Sequence, residues 1–169
     1  MKPGDHPDFY RFAPPPGTSR ESTIVLDREG RFWHDGERVD RPALEQALRR
    51  WIARHPDDGR LILTNGYDWC YFRADDAPYF ITSLEVEGDG RVSIGLFDGA
   101  REPLDPRSLW VDEEGVVRAK VKGGLFEARF TRHAQAELGA VLVEAEPPTV
   151  RVGGEDIVLP VRGVEPSGA

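Results

Sequence analysis

The chain has 169 residues, 39% of them hydrophobic and 31% charged, enough to bury a core without disulfide support, as one domain or as two small units. Its net charge of −8, from 22 basic and 30 acidic residues, argues against nucleic-acid binding by phosphate neutralisation, which needs a basic face. A single cysteine, Cys70, excludes an internal disulfide framework and fits a reducing compartment.

The opening, Met1 to Arg11, is polar and lacks an apolar core, so it reads as neither signal peptide nor anchor. No apolar run approaches the ~20 residues of a membrane helix. The expectation is cytoplasmic residence without a membrane partner. With 14 prolines and 18 glycines the chain should be made of short, sharply turned elements.

Residues 1–22 carry Pro14-Pro15-Pro16-Gly17 and few branched apolar residues, which predicts an extended or partly disordered arm, pinned by Phe9, Tyr10 and Phe12. Thr23 to Leu26, Arg31 to His34 and Glu37 to Val39 then read as a three-stranded meander with turns at Asp27–Gly30 and Asp35-Gly36. Asp40 is placed to cap a helix with Pro42 in its first turn. Leu44, Leu48, Trp51, Ile52 and His55 recur at helical spacing on one face of it, and Arg41, Arg49, Arg50 and Arg54 form a solvated face.

Arg60 to Thr64 and Tyr67 to Arg73 read as a strand pair around Asn65-Gly66, followed by strands Tyr79 to Glu87 and Arg91 to Phe97. Asp98 to Pro106 is broken by Pro103 and Pro106 and reads as a crossover. Beyond it come strands Ser108 to Val111, Val116 to Val121 and Leu125 to Phe130. A helix capped by Thr131 follows, with Ala134, Leu138, Val141 and Leu142 on one side, and then a hairpin, Val150 to Val152 with Ile157 to Val161.

Leu26-Asp27-Arg28-Glu29-Gly30 and Val111-Asp112-Glu113-Glu114-Gly115 repeat one pattern, an apolar run closed by an acidic turn and a glycine, and each leads to one amphipathic helix. The expected fold class is α+β, two similar antiparallel-sheet units each with one helix. The arm is 1–22, the N-terminal unit 23–100 and the C-terminal unit 101–169, and residues 23–97 and 107–162 are expected to correspond. Such turns also recur by chance in hairpins.

Catalytic motifs are absent: no phosphate loop ending in Gly-Lys-Ser/Thr, no Gly-x-Ser-x-Gly, no His-Glu-x-x-His. Gly88-Asp89-Gly90 joins two strands instead of opening a helix. His6, His34, His55 and His133 stand singly, without metal spacing, so no metal, cofactor or enzymatic activity is assigned. Asp75-Asp76 and Glu113-Glu114 read as turn residues and Cys70 as an inert thiol.

One stretch stands out, Asn65 to Arg73 and on to Tyr79. In a strand, Tyr67, Trp69, Tyr71 and Arg73 share one face, with Asp68, Cys70 and Phe72 on the other. Three polar-tipped aromatics and a guanidinium would suit a planar, anionic ligand. Tyr67, Trp69, Tyr71, Arg73 and Tyr79 are therefore the candidate ligand-binding residues. An aromatic ladder that only stabilises a sheet is the competing account. Trp33 and His34, pointing to opposite faces, can contribute one residue at most.

The run Ile24 to Leu48, with Leu26-Asp27-Arg28-Glu29-Gly30-Arg31-Phe32-Trp33-His34-Asp35-Gly36 and Arg41-Pro42-Ala43-Leu44, resembles the opening of a bacterial family labelled a domain of unknown function. Asp75-Asp76-Ala77-Pro78-Tyr79, Leu84-Glu85-Val86-Glu87-Gly88, Gly153-Gly154-Glu155 and Leu159-Pro160 continue the likeness in order. The resemblance implies a duplicated α+β core, a pleckstrin-homology-like C-terminal half, and a pocket between the halves for a nucleotide-like ligand in a signalling role. The chain departs from the family at Asn65-Gly66-Tyr67-Asp68-Trp69, where a Thr-Pro-x-Glu-Lys step is usual. Besides a small-ligand or signalling module, a protein-interaction module without a small ligand and a hydrolase or transferase built on converging carboxylates are the readings these residues leave open.

Overall fold

Dense glycine and proline keep every element short: in the computed structural model, which describes residues 1–163, no strand exceeds eight residues and no helix nine. The chain forms two units, Met1–Pro78 and a second from Tyr79 onward. The second thus includes the strands at 79–97, which the sequence reading assigns to the N-terminal unit. They leave it because the first of them pairs in parallel with the strand at 126–130, through Tyr79 opposite Ala128 and Ile81 opposite Phe130. Residues 164–169 of the expected C-terminal unit lie outside the described residues.

The first unit holds β1 (Val25–Leu26), β2 (Phe32–His34), β3 (Glu37–Arg38), α1 (Pro42–Arg50), β4 (Ile52–Arg54), β5 (Leu61–Thr64), β6 (Trp69–Tyr71) and β7 (Arg73–Ala74). They make a sheet of order β3-β2-β1-β7 and a separate antiparallel sheet β4-β5-β6. The second unit holds β8 (Tyr79–Val86), β9 (Val92–Leu96), β10 (Arg101–Pro103), β11 (Trp110–Asp112), β12 (Val117–Val121), β13 (Phe126–Phe130), α2 (Arg132–Leu138), β14 (Leu142–Val143), β15 (Thr149–Val152), β16 (Glu155–Val158) and β17 (Val161–Arg162). Its main sheet runs β10-β9-β8-β13-β12-β11-β17, beside a small sheet β14-β15-β16. Three parallel pairs, β1 with β7, β11 with β17 and β8 with β13, make both main sheets mixed where antiparallel ones are expected.

Pairing in residues 25–74 and 110–161 follows one scheme. Leu26 faces Phe32 and Val111 faces Val117; Leu26 pairs in parallel with Ala74 and Val111 with Val161. After the helix, Ile52 faces Leu63 and Leu142 faces Val150, while Ile62 faces Tyr71 and Thr149 faces Val158. The linking residues Phe72 and Leu159 donate their N–H to Leu61 O and Pro148 O, at 3.2 and 2.8 Å.

The acidic turns share their bonds too. Asp27 Oδ1 accepts from Glu29 N and Arg31 N, and Asp112 Oδ1 from Glu114 N and Val116 N, all within 3.0 Å. Gly30 and Gly115 close the turns at φ 84° and 82°, a conformation that costs glycine little. Each turn is then tied to its helix. Glu45 accepts from Phe32 N and Gln135 from Val117 N, while Arg49 and Gln135 donate to Gly30 O and Gly115 O. The turns differ at Oδ2, which accepts from Trp33 Nε1 (2.8 Å) in one and from the fully buried Arg118 Nε (3.0 Å) in the other.

The helices are shorter than their apolar spacing predicts. In α1, Leu48 is buried as expected, but Trp51 ends the helix by donating to both Ala47 O and Leu48 O. Ile52, β-branched, is taken up by β4, and His55 lies beyond it. The N-cap is Arg41, not Asp40, and Arg49 is half-buried against Glu45 and Gly30 instead of joining the solvated face. Thr131 caps α2 through Ala134 N, with Ala134 and Leu138 buried. Leu142 escapes that helix into β14, where it is 53% exposed.

Candidate functional site

Alternation along β6 puts Trp69 and Tyr71 on one face of the β4–β6 sheet, with Ile62 and Ala53 beside them. His55, just past β4, completes an aromatic group: its ring stacks on Tyr71 at 5.7 Å and meets Trp69 at 5.0 Å, and Trp69 meets Tyr71 edge-on at 5.1 Å. The N-terminal arm covers this group. Tyr10 reaches Trp69 and His55 edge-on at 5.9 Å each, Phe9 lies 4.9 Å from Tyr10, and Trp69 is left 6% exposed. These edge-to-face contacts are the favoured aromatic geometry.

The arm, expected to be extended, instead folds into two 3-10 turns, Pro3–Asp5 and Phe9–Arg11. Gly4 N donates to Gly66 O at 2.7 Å, and a Cβ on Gly4 would lie 3.0 Å from Gly66 Cα and O, a close approach that a larger residue would crowd. Arg11 grips Asp57 with two bonds, 3.0 and 2.7 Å. Arg20 donates to Asp68 at 2.5 Å and to Trp69 O at 2.9 Å, its guanidinium 4.6 Å above the Trp69 ring. Phe12, expected as an anchor, is exposed and contacts His6.

The following residues meet the β6 edge at Tyr71, whose N–H donates to Arg20 O (2.7 Å) and whose carbonyl accepts from Ser22 Oγ (2.5 Å). Beyond it, Arg73 N donates to Ile24 O (3.1 Å) and Asp75 N to Leu26 O (2.8 Å), in the β1–β7 pairing. Arg60 pairs bidentately with Glu21, at 2.8 and 3.0 Å, and sits 3.7 Å over the Tyr71 ring.

His55 Nδ1 accepts from Asp57 N (3.1 Å), so its proton lies on Nε2, which donates to Tyr10 O at 3.1 Å. Tyr71 donates to Asp58 at 2.6 Å, and that bond raises the phenol pKa. Burial pushes the Asp58 carboxyl up, but the bonds from Tyr71 and Arg60 N outweigh it and hold it below its ordinary value. Bonds from Arg60 and Arg11 likewise lower Glu21 and Asp57. Carboxylates held ionised by fixed donors suit binding better than proton transfer. Trp69 Nε1 and Arg20 Nε are buried without a hydrogen-bond partner among the described residues, where no group of three His, Cys, Asp or Glu is arranged to hold a metal.

The structure gathers two of the five residues chosen from sequence. Trp69 and Tyr71 lie together under the arm. Tyr67 falls in the turn, where Asn65 Oδ1 accepts its N–H at 2.8 Å, and is 63% exposed with Lys2 5.9 Å over its ring. Arg73 belongs to β7 and pairs with Asp75 in solvent. Tyr79 belongs to the second unit, buried against Phe97 and Phe126 with Lys122 over its ring; burial raises its pKa, and Asp98 and Glu102 add to the effect. Trp33 bonds to Asp27 and His34 is exposed beside Asp35, so neither joins the group. Sequence reasoning missed His55, assigned to a helix stripe, and the Arg20 and Arg60 caps, which meet their rings only through tertiary packing. Cys70 is half-buried, and burial raises its thiol pKa, as an inert thiol requires.

Two short mixed α+β units with a small aromatic sheet define a fold found in bacterial proteins of unknown function. A crystal structure of a DUF1285 family protein from Silicibacter pomeroyi DSS-3 superposes with TM-score 0.66 at 18% identity, over 94% of this chain and 89% of that one. A DUF1285 family protein from Shewanella baltica OS155 superposes with TM-score 0.53 at 15% identity, over 68% of this chain and 87% of that one. At these identities it is the fold that is shared. No family model and no curated protein matches the sequence.

Proposed function

We propose that this chain is a non-enzymatic binding module of the DUF1285 kind, built from a duplicated α+β unit, whose recognition surface is the aromatic face of β4–β6 and whose ligand is an extended peptide segment. The arm carries this reading: Phe9 and Tyr10 fill the aromatic face while Arg20 and Ser22 bond to Tyr71 at the β6 edge, the two elements of strand-addition recognition. The common pairing of 25–74 and 110–161 supports the duplication. The test weakens the arm in the full chain by Phe9→Ala with Tyr10→Ala and titrates a labelled peptide of residues 1–22. Saturable binding that Trp69→Ala abolishes is expected; no binding in the weakened chain sinks the reading.

Arg60 over Tyr71 and Arg20 over Trp69 favour a second reading, a planar anion such as a nucleotide in place of Phe9 and Tyr10. A melting-point rise with nucleotides, removed by Arg60→Ala and by Trp69→Ala, would distinguish it.

A further inference from the structure

Resting on the peptide reading above, we propose that the segment this face recognises carries two neighbouring aromatic residues followed by an arginine, that Asp57 selects the arginine, and that residues 1–11 are a built-in competitor which such a segment displaces. The arm has two parts with different attachments. Arg20 to Ile24 run directly into β1 and stay with the body. Residues 12–19 are exposed apart from a half-buried Pro14, and their hydrogen bonds, among them Thr18 N to Pro15 O (3.1 Å) and Arg20 Nη2 to Phe12 O (3.5 Å), stay within the arm among the described residues. In residues 1–11 only Phe9 is buried, with Gly4 and Tyr10 half-buried. This part is held by Phe9 and Tyr10 on the aromatic face, by His55 Nε2 to Tyr10 O, by Gly4 N to Gly66 O and by Arg11 to Asp57.

Lifting residues 1–11 leaves the charges around the face unequal. Asp68 keeps Arg20, Glu21 keeps Arg60 and Asp58 keeps the Tyr71 hydroxyl, whereas Asp57 loses both bonds from Arg11. One uncompensated carboxylate then stands two residues from His55, to whose Nδ1 its own N–H is bonded. Arg11 meets that carboxylate through Nε and Nη2, a two-point fit that a guanidinium makes and a lysine ammonium does not. His55 reads a main-chain carbonyl, which any segment offers, so the choice of side chain falls to Asp57. The pair is exposed, 51% and 45% on its two side chains, so it adds little to affinity and acts by selection. The arm is also an imperfect occupant. Beneath it Trp69 is 6% exposed, and its Nε1 donor meets no acceptor among the described residues. A buried donor left unmet costs free energy, so a segment that brings an oxygen to it gains over residues 1–11.

The probe is a synthetic peptide of residues 1–11, titrated into the isotope-labelled full chain and followed by NMR at the Trp69 indole N–H. Two variants open the site: Gly4→Val, which crowds Gly66 and leaves the aromatic face intact, and Phe9→Ala with Tyr10→Ala. Both should bind the peptide about tenfold or more tightly than the unmodified chain, whose own arm occupies the face. In either opened chain a peptide carrying Arg11→Glu should bind about fivefold more weakly, and adding Asp57→Arg should reverse the preference in favour of that peptide. Equal binding of the two peptides before and after Asp57→Arg overturns selection by Asp57 and leaves peptide recognition standing. Equal affinity of the opened and unmodified chains overturns the built-in competitor. A Trp69 indole signal that neither peptide moves in either opened chain overturns the inference together with the peptide reading on which it rests.

Discussion

The small sheets β4–β6 and β14–β16 have the same register and opposite surfaces. Tyr71 sits opposite Ile62 and Val158 opposite Thr149; one step along, Trp69 faces Thr64 where Asp156 faces Arg151. In the first sheet those positions are aromatic, clustered and covered by the arm. In the second, Asp156 and Arg151 make a solvent-exposed ion pair, and Val158 is exposed. The pairing scheme therefore does not require an aromatic face. Trp69 and His55 meet Tyr10 of the arm instead. The acidic turns teach the same lesson: one framework of backbone bonds closes on a neutral indole in one case and on a buried guanidinium in the other.

The largest effect should come from Trp69→Ala, at about 3–5 kcal/mol by denaturant unfolding, since a buried indole is lost together with the arm it holds; Asp156→Ala should leave the unfolding midpoint in place. Equal losses would mean that the two sheets are not used differently.

Asp112→Ala should follow closely, at about 3–5 kcal/mol, because it breaks a fully buried ion pair with Arg118. Asp27→Ala removes a carboxylate from a neutral indole donor and should cost about 1–3 kcal/mol. A reversed order in parallel urea titrations would contradict the assignment of Trp33 and Arg118 as the residues that distinguish the turns.

Acid unfolding sharpens the same pair. Burial pushes both carboxyls up, but their backbone bonds, with Trp33 for Asp27 and Arg118 for Asp112, outweigh it and leave both pKa values lowered. A depressed folded-state pKa contributes stability above the unfolded value, about 3.9, that disappears as pH falls through the folded one. Stability measured from pH 6 to pH 2 should thus decline below about pH 4, and Asp112→Asn should flatten the decline more than Asp27→Asn.

The smallest effect belongs to Arg60→Gln, which removes an exposed ion pair with Glu21 and a ring contact with Tyr71. Global stability should barely change, while hydrogen exchange of the Tyr71 amide, which bonds to Arg20 O, should quicken. Unchanged exchange would show that Arg60 does not help to seat the arm.

Much of this was legible in the letters, because its causes are local. Asx turns, glycines at positive φ, the Thr131 cap and period-two strands depend on residues within a few positions of one another. The acidic-turn repeat could be read for the same reason, and the aromatic alternation of Trp69 and Tyr71 with it. The errors share a cause as well. Leu44, Leu48, Trp51, Ile52 and His55 fit a helical stripe, yet pairing with Leu63 draws Ile52 into a strand, and His55 turns toward Tyr71. Tyr67 and Arg73 continue the alternation on paper, but a four-residue turn takes one and a different sheet the other.

By itself, then, the sequence determined the short-element α+β character, the positions of its turns, two amphipathic helices and the aromatic strand, all of which are written in neighbouring residues. Tertiary structure alone decided that the arm folds onto that strand, that His55, Arg20 and Arg60 complete the aromatic group, and that β8 and β9 leave the first unit for the second. Each of these choices pairs residues well separated along the chain, where no local propensity favours one partner over another and only simultaneous burial and hydrogen-bond satisfaction can choose.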